Sequence, residues 1–282
     1  MSLLAIHPHA QPEELVDRYV LGMAEMGYSG LSEQWLLRRA GDLHWRLIAR
    51  AMGQKDAVFT CPDGQPLYAA FCVTSLRMNS PEMPRLGVNL TLSAGLYRIG
   101  QSRLASIQKV SVQGRQIGRV ILISTFVGRS EPGSNRSIVR RTPRVLAMPP
   151  EAPSVVQRLA RQAATVARNA VRDNGGLVKS GNTHPILPCP TTDFNAAGLL
   201  YFPSFSAIAE RALFESGETE MRVLSARHVV YLGNVEPGER ISVAFRKRAS
   251  GTDIVLRGGD GRPLALMRGR GEPKKEMARV PN

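Results

Sequence analysis

Apolar residues recur at two periods along the chain, and the switch between them sets the expected elements. From Pro12 to Gly27, Leu15, Val16, Tyr19, Val20 and Met23 fall at helical spacing, so a helix is expected over 12–27. LSEQWLLRRA (31–40) reads as a strand, and DLHWRLIARAMG (42–53) as a short helix capped by Asp42 and stopped by Gly53. Strand patterns rich in β-branched and aromatic residues follow: AVFTC, LYAAFCVTSLRM, NLTLSAGLYRI, RLASIQKVSV and RVILISTFVG, separated by Gly and Asn breaks. The Pro-rich, basic segment 131–153 reads as a linker, and SVVQRLARQAATVARNAV (154–171) as a helix. After DNGG and SGNTHP the order repeats: a helix at SFSAIAERALFE, then strands at RHVVYLGN, RISVAFRKR, TDIVLRGG and PLALMRGR.

The repetition can be given a register. RLGVNLTLSAGLYRIGQSRLASIQKV laid against EPGERISVAFRKRASGTDIVLRGG puts Gly87 opposite Gly238 and Gly100 opposite Gly251. The expected architecture is α+β, two copies of one unit with a helix first and a run of antiparallel strands after it. Its parts are an N-terminal helix (1–28), a first unit (29–145), a linker and connecting helix (146–180), a second unit (181–275) and a tail (276–282). DGQPL at 63 and DGRPL at 260 are independent Asp-Gly hairpin turns, because matching them would break the order of the elements.

A chain of 282 residues with 43% hydrophobic content has enough material for one large or two smaller cores, which argues against global disorder. No apolar run reaches the ~18–20 residues a bilayer span needs, and the start lacks the basic and apolar regions of a signal peptide. A cytoplasmic protein with no membrane partner is therefore expected. Cys61, Cys72 and Cys189 form no CxxC, so free thiols are expected and no metal site. The net charge of +14 attracts polyanions. No zinc-finger spacing, RNP-like strand or helix-turn-helix accompanies it, so nucleic acid is not expected as a partner. A CoA diphosphate or an acidic carrier protein fits the charge instead.

The run DFNAAGLLYFPSF (193–205), entering a helix through Glu210 and Arg211, resembles the signature of the 4-hydroxybenzoyl-CoA type thioesterases, and ARHVVYLGNVEPGERISVAF resembles their next two strands. GLSEQWLLRRAGDLHW, PLYAAFCV and LLYFPSF together resemble bacterial biosynthetic proteins of the leinamycin-pathway bifunctional acyltransferase/decarboxylase type. The resemblance implies a double hotdog, each unit a helix packed on an antiparallel sheet. It implies an enzyme of a polyketide-type pathway that takes methylmalonyl-CoA, removes carbon dioxide and delivers the acyl group to an acyl carrier protein. By motif, Tyr68 in PLYAAF matches that group's proposed nucleophile. No cofactor beyond the CoA thioester is implied.

In the thioesterase pattern a working carboxylate stands two residues after the first Asp; here that place is Asn195, while Asp193 keeps the earlier, structural one. A carboxylate would attack a thioester or activate water. An uncharged amide suits a substrate that is itself an anion and whose decarboxylation builds negative charge on the thioester oxygen. The expected oxyanion site is the Gly198 N–H with the Asn195 amide. Tyr68 is either nucleophile or hydrogen-bond donor. Ser32, His44, Asn89 and Asn234 are further substrate-binding candidates, and Arg140, Arg141 and Arg144 are candidates for phosphate or carrier contact. A thioesterase using Glu33 or Asp42 as base and a non-catalytic hotdog scaffold binding a carrier protein are the alternatives. Monomer and homodimer are both compatible with the chain.

Overall fold

A computed structural model describes residues 14–143, 146–172, 183–217 and 222–273. Its strands are β1 (Glu14–Val20), β2 (Met26–Gly27), β3 (Gly30–Leu31), β4 (Phe59–Thr60), β5 (Pro66–Met78), β6 (Asn89–Ile99), β7 (Arg103–Val112), β8 (Arg115–Arg129), β9 (Ile138–Arg140), β10 (His184–Ile186), β11 (Arg222–Tyr231), β12 (Ile241–Arg248), β13 (Gly251–Arg257) and β14 (Pro263–Pro273). Its helices are α1 (Glu33–Ala51), α2 (Ser154–Arg172), α3 (Pro190–Asp193) and α4 (Phe202–Glu215). All but β2 and β3 join one antiparallel sheet, whose main path runs β1-β6-β7-β8-β5-β11-β14-β13-β12-β10. The order reads alike outward from the β5–β11 junction. Gly87 and Gly238 precede β6 and β12, and Gly100 and Gly251 fall at the β6–β7 and β12–β13 turns, as the aligned register expects.

At the centre Ser75 pairs with His228. Three residues before each lies an irregularity, at Cys72 in β5 and at Ser225 in β11. The β5–β11 ladder runs only from Val73↔Val230 to Arg77↔Ala226. Beyond it the two strands part, and each leaves a gap beside its partner's end.

Helices α1 and α4 cover one face. Leu36, Leu43, Leu47 and Ile48 of α1 pack on Leu90, Leu92 and Leu122, while Phe205, Ile208 and Ala212 of α4 pack on Val229, Ile241, Val243 and Leu256. The helices meet at Gly41, where a Cβ would stand 2.8 Å from the Phe202 ring. Helix α2 lies on the opposite face, its small residues Ala160 and Ala163 seated over Val73, Ile121, Ile123 and Val230.

The structure corrects three expected elements. Residues 14–20 form an edge strand on β6, not a helix; Leu15 points inward while Val16 and Val20 face out. The backbone partners offered by the β6 edge decide between two patterns that the apolar spacing fits equally. The expected strand at 31–40 and helix at 42–53 are one 19-residue helix. Its N-cap is Ser32, whose hydroxyl accepts the Trp35 N–H, and Asp42 lies inside it. The expected linker contains β9, which pairs with β8.

His44 lies in the first core, fully buried, with ring nitrogens 2.8 Å from the Ser106 and Ser124 hydroxyls. Burial pushes its pKa down to about 3. The folded state therefore holds the ring neutral, while the unfolded chain protonates it near 6.5. Its contribution to stability is complete above pH 6.5 and declines as pH falls from there toward 3, by at most about 1.4 kcal/mol per pH unit. Denaturant titrations from pH 7 to pH 4 should show a shallower loss in His44→Gln than in the native protein.

Candidate active site

The gap beside β5 opens into a cavity of about 780 Å³. It lies along Tyr68–Cys72, where β5 has left its ladder with β11, and is closed from the far side by the Leu232–Asn234 turn and the loop before α4. Trp45, Phe71, Tyr201 and Phe202 form an aromatic wall: Phe71 and Phe202 stand 4.4 Å apart between centroids, Tyr201 and Phe202 5.1 Å. The Trp45 indole N–H donates to the Ala69 carbonyl at 2.9 Å and fixes that wall to β5. Ala69, Ala70, Leu199 and Leu200 supply smaller apolar lining.

The loop before α4 is built by its own hydrogen bonds. The Asp193 carboxylate accepts the Cys189 N–H (2.8 Å) and an Arg211 N–H (3.1 Å), so this buried acid is structural. Asn195 Oδ1 accepts the N–H groups of Ala197 (3.0 Å) and Leu199 (3.1 Å), the mark of an Asx turn. Gly198 takes φ +71°, and its N–H donates to the Asn195 carbonyl at 2.8 Å. That bond overturns the expected role of the Gly198 N–H as an oxyanion donor: the turn already uses it. The Asn195 Nδ2 has no partner among the described residues, and Asn195 lines the cavity. Asn234 also lines it, but its Oδ1 accepts Leu200 and Val235 N–H groups (2.9 and 3.0 Å) and its Nδ2 donates to the Leu200 carbonyl (3.3 Å). It holds the loop in place.

A residue that sequence reasoning missed binds these parts together. Asn135 is buried, accepts an Arg129 N–H at 2.7 Å, and donates through Nδ2 to the Gly198 and Val235 carbonyls at 2.7 and 2.8 Å. Its backbone N–H reaches Glu236 at 2.7 Å. The only sequence signal was the turn EPGSN inside the supposed linker.

Tyr68 is on the cavity wall, half-buried, with no hydrogen bond to its hydroxyl among the described residues. The Arg129 guanidinium lies 5.8 Å from its ring centroid and is itself committed to Asn135 and, at 2.6 Å, to the Ala197 carbonyl. No Asp, Glu, His or Lys lines the cavity among the described residues. Its two lining arginines are both in ion pairs, Arg136 with Glu239 (3.2 Å) and Arg262 with Asp260 (2.7 Å).

Other expected site residues lie elsewhere. Ser32 caps α1, His44 sits in the core, and Asn89 opens β6 with its carbonyl accepting the Gln113 N–H. None of the three lines the cavity, because each is taken up by local structure or core packing. Arg140 is exposed on β9 opposite Val127; the Arg141 backbone N–H donates to the Phe126 carbonyl. Arg144 lies outside the described residues. Of the bases considered for hydrolysis, Asp42 is exposed and paired with Arg46 at 3.0 Å, and Glu33 is half-buried and paired with Arg227 at 2.9 Å. Among the described residues no group of His, Cys, Asp and Glu is placed to hold a metal, and no helix is long and apolar enough to cross a membrane.

Cys72 lines the cavity, but burial pushes its thiol up to about 11, against the pull of Arg103 and Arg140. Its Sγ donates to the Ile123 carbonyl at 3.3 Å. Exposed Cys189 is shifted the other way by a hydrogen bond with the Thr192 side chain. Mass mapping after brief iodoacetamide treatment at pH 8 should find Cys189 alkylated and Cys72 intact.

By overall structure the chain is similar to an acyl-ACP thioesterase from Bacteroides thetaiotaomicron (TM-score 0.63, 11% identity, covering 92% of this chain and 98% of that one). It is similar to the same degree to the 12:0-ACP thioesterase from Umbellularia californica (TM-score 0.63, 12% identity, 93% and 98%). At such identities the likeness is one of fold, and it defines a hotdog-type protein: a large antiparallel sheet with few helices. No protein-family model matches the chain, and no curated protein matches its sequence.

Proposed function

We propose that the chain is two tandem hotdog units forming one acyl-thioester enzyme, which decarboxylates a malonyl- or methylmalonyl-type CoA thioester and passes the acyl group to a carrier protein. The mirrored strand order supports the two-unit reading. The observation that carries the chemistry is a roomy cavity offering uncharged donors, the Asn195 amide and the Tyr68 hydroxyl, with no carboxylate, histidine or lysine among the described residues of its wall.

In this reading the thioester carbonyl accepts a hydrogen bond from Asn195 Nδ2. The bond between the α-carbon and the carboxylate breaks, carbon dioxide leaves, and the electron pair moves onto the thioester as an enolate. Among the described residues no Asp, Glu, His or Lys lines the wall to take a proton from Tyr68, so its hydroxyl works as a donor and returns a proton to the α-carbon rather than acting as a nucleophile. The carrier protein's thiolate then attacks the carbonyl and CoA leaves as thiolate, while the Tyr68 phenolate regains its proton from solvent. Nothing beyond the CoA thioester is required as cofactor. A thioesterase is favoured by fold likeness alone, and it needs a base that the described residues of the cavity wall do not supply.

The test is incubation with malonyl-, methylmalonyl- and propionyl-CoA, with products followed by mass. Release of carbon dioxide from the carboxylated substrates supports the proposal. Free CoA with the carboxylated acid intact would establish a thioesterase instead, and no turnover with or without a carrier protein would establish a scaffold.

A further inference from the structure

The wall that carries Tyr68 has a second chemical feature, which the proposed reaction leaves unused. Three strands lie side by side there. Tyr68 pairs with Val127, and Val127 pairs on its other side with Arg140. One step along, Ala70 pairs with Thr125 and Thr125 with Arg103. Directly opposed residues of an antiparallel ladder point to the same face. Both arginines therefore leave the sheet on the face that carries Tyr68, Ala70, Thr125 and Val127, all of which line the cavity. Both also act electrostatically on the Cys72 thiol in that wall.

Among the described residues the two guanidinium groups have no partner of their own. Arg103 Nε is buried without a hydrogen bond, and neither arginine is in an ion pair, among the described residues. A buried donor left unmatched is unfavourable until an acceptor arrives. A pair of guanidinium groups suits a phosphate or carboxylate, whose oxygens take their parallel N–H bonds. Arg129, the third arginine on this face, is already bound to Asn135 and Ala197.

We propose that Arg103 and Arg140 form an anion subsite beside Tyr68 that binds a charged group of the substrate, either the phosphate of its pantetheine arm or the carboxylate of its acyl group. The subsite's role as part of substrate recognition rests on the acyl-thioester reading above; its affinity for an anion does not.

Calorimetry on the full chain tests both levels. Pyrophosphate alone should bind, and Arg140→Ala and Arg103→Met should each weaken it at least tenfold; Arg140 is exposed, so its variant remains informative if Arg103→Met does not fold. Two matched pairs identify the source: 4′-phosphopantetheine against pantetheine, and malonyl-pantetheine against acetyl-pantetheine. The pair whose charged member binds more tightly in the native protein, and loses that preference in the variants, names the group. Equal pyrophosphate binding in native protein and folded variants would overturn the subsite, and charged and neutral members binding alike would overturn its role in substrate recognition. Arginine-dependent pyrophosphate binding with no pantetheine binding at all would overturn the acyl-thioester reading and leave the anion site standing.

Discussion

Replacing Arg227 with methionine should lower unfolding free energy by about 3–5 kcal/mol, the usual result of stranding a buried charge. Arg227 is 5% exposed on β11 and lies between the helices, with Nε 2.9 Å from Glu33 in the first turn of α1 and Nη2 on Glu210 of α4. Burial alone pushes the Glu33 carboxyl up, and the guanidinium pulls it back. Without Arg227, Glu33 must take up a proton or stay unpaired among apolar neighbours. Against a typical total of 5–15 kcal/mol the loss is large. Urea midpoints should therefore fall sharply in the single variant, and adding Glu33→Gln should recover most of the difference. Failure of that second change to rescue would mean Arg227 acts through packing instead.

The other large effect is at the candidate site. Asn195→Asp retains an oxygen that can accept the Ala197 and Leu199 N–H groups, so the loop should keep its shape. It removes the free amide and adds a negative charge where negative charge develops. Decarboxylation should drop by about 10²–10³ or more, the range seen on losing an oxyanion donor, while hydrolysis rises. Tyr68→Phe should slow decarboxylation yet leave acyl transfer detectable, because no Asp, Glu, His or Lys among the described residues lines the wall beside the hydroxyl. Complete loss of transfer with decarboxylation intact would restore the nucleophile role. Rates for each variant on methylmalonyl-CoA, with a carrier protein as acceptor, separate these outcomes.

What the sequence showed followed from periodicity. β6 and β7 match the strand expectations residue for residue, because alternation over ten or so positions has one good fit. The helix at 154 and the one entering through Phe202 were equally plain. The misreadings arose where local pattern is ambiguous. Leu15 to Val20 suits either period, and pairing with β6 decided it. Trp35, Leu36 and Leu37 are consecutive apolar residues, so α1 looked like a strand until the Ser32 cap was seen. At the site, Tyr68 and Asn195, singled out by motif, and Asn234, singled out beside a turn, all line the cavity. Residue types alone do not say which hydrogen bonds a turn keeps for itself, which is why the Gly198 N–H was misassigned. Nor do they show contacts across a hundred residues, which is how Asn135 reaches Val235 unannounced.

The mirrored gap beside β11 is a different place from the one beside β5. Leu31, Leu36, Leu76, Met78 and Val223 crowd it with Glu33, leaving about 20 Å³, room for little more than a single water. Of two doorways that the strand order sets out alike, one is bricked up. Of these two gaps among the described residues only one can admit an acyl guest of the kind proposed, so saturation is expected at one equivalent per chain without cooperativity between the paired units.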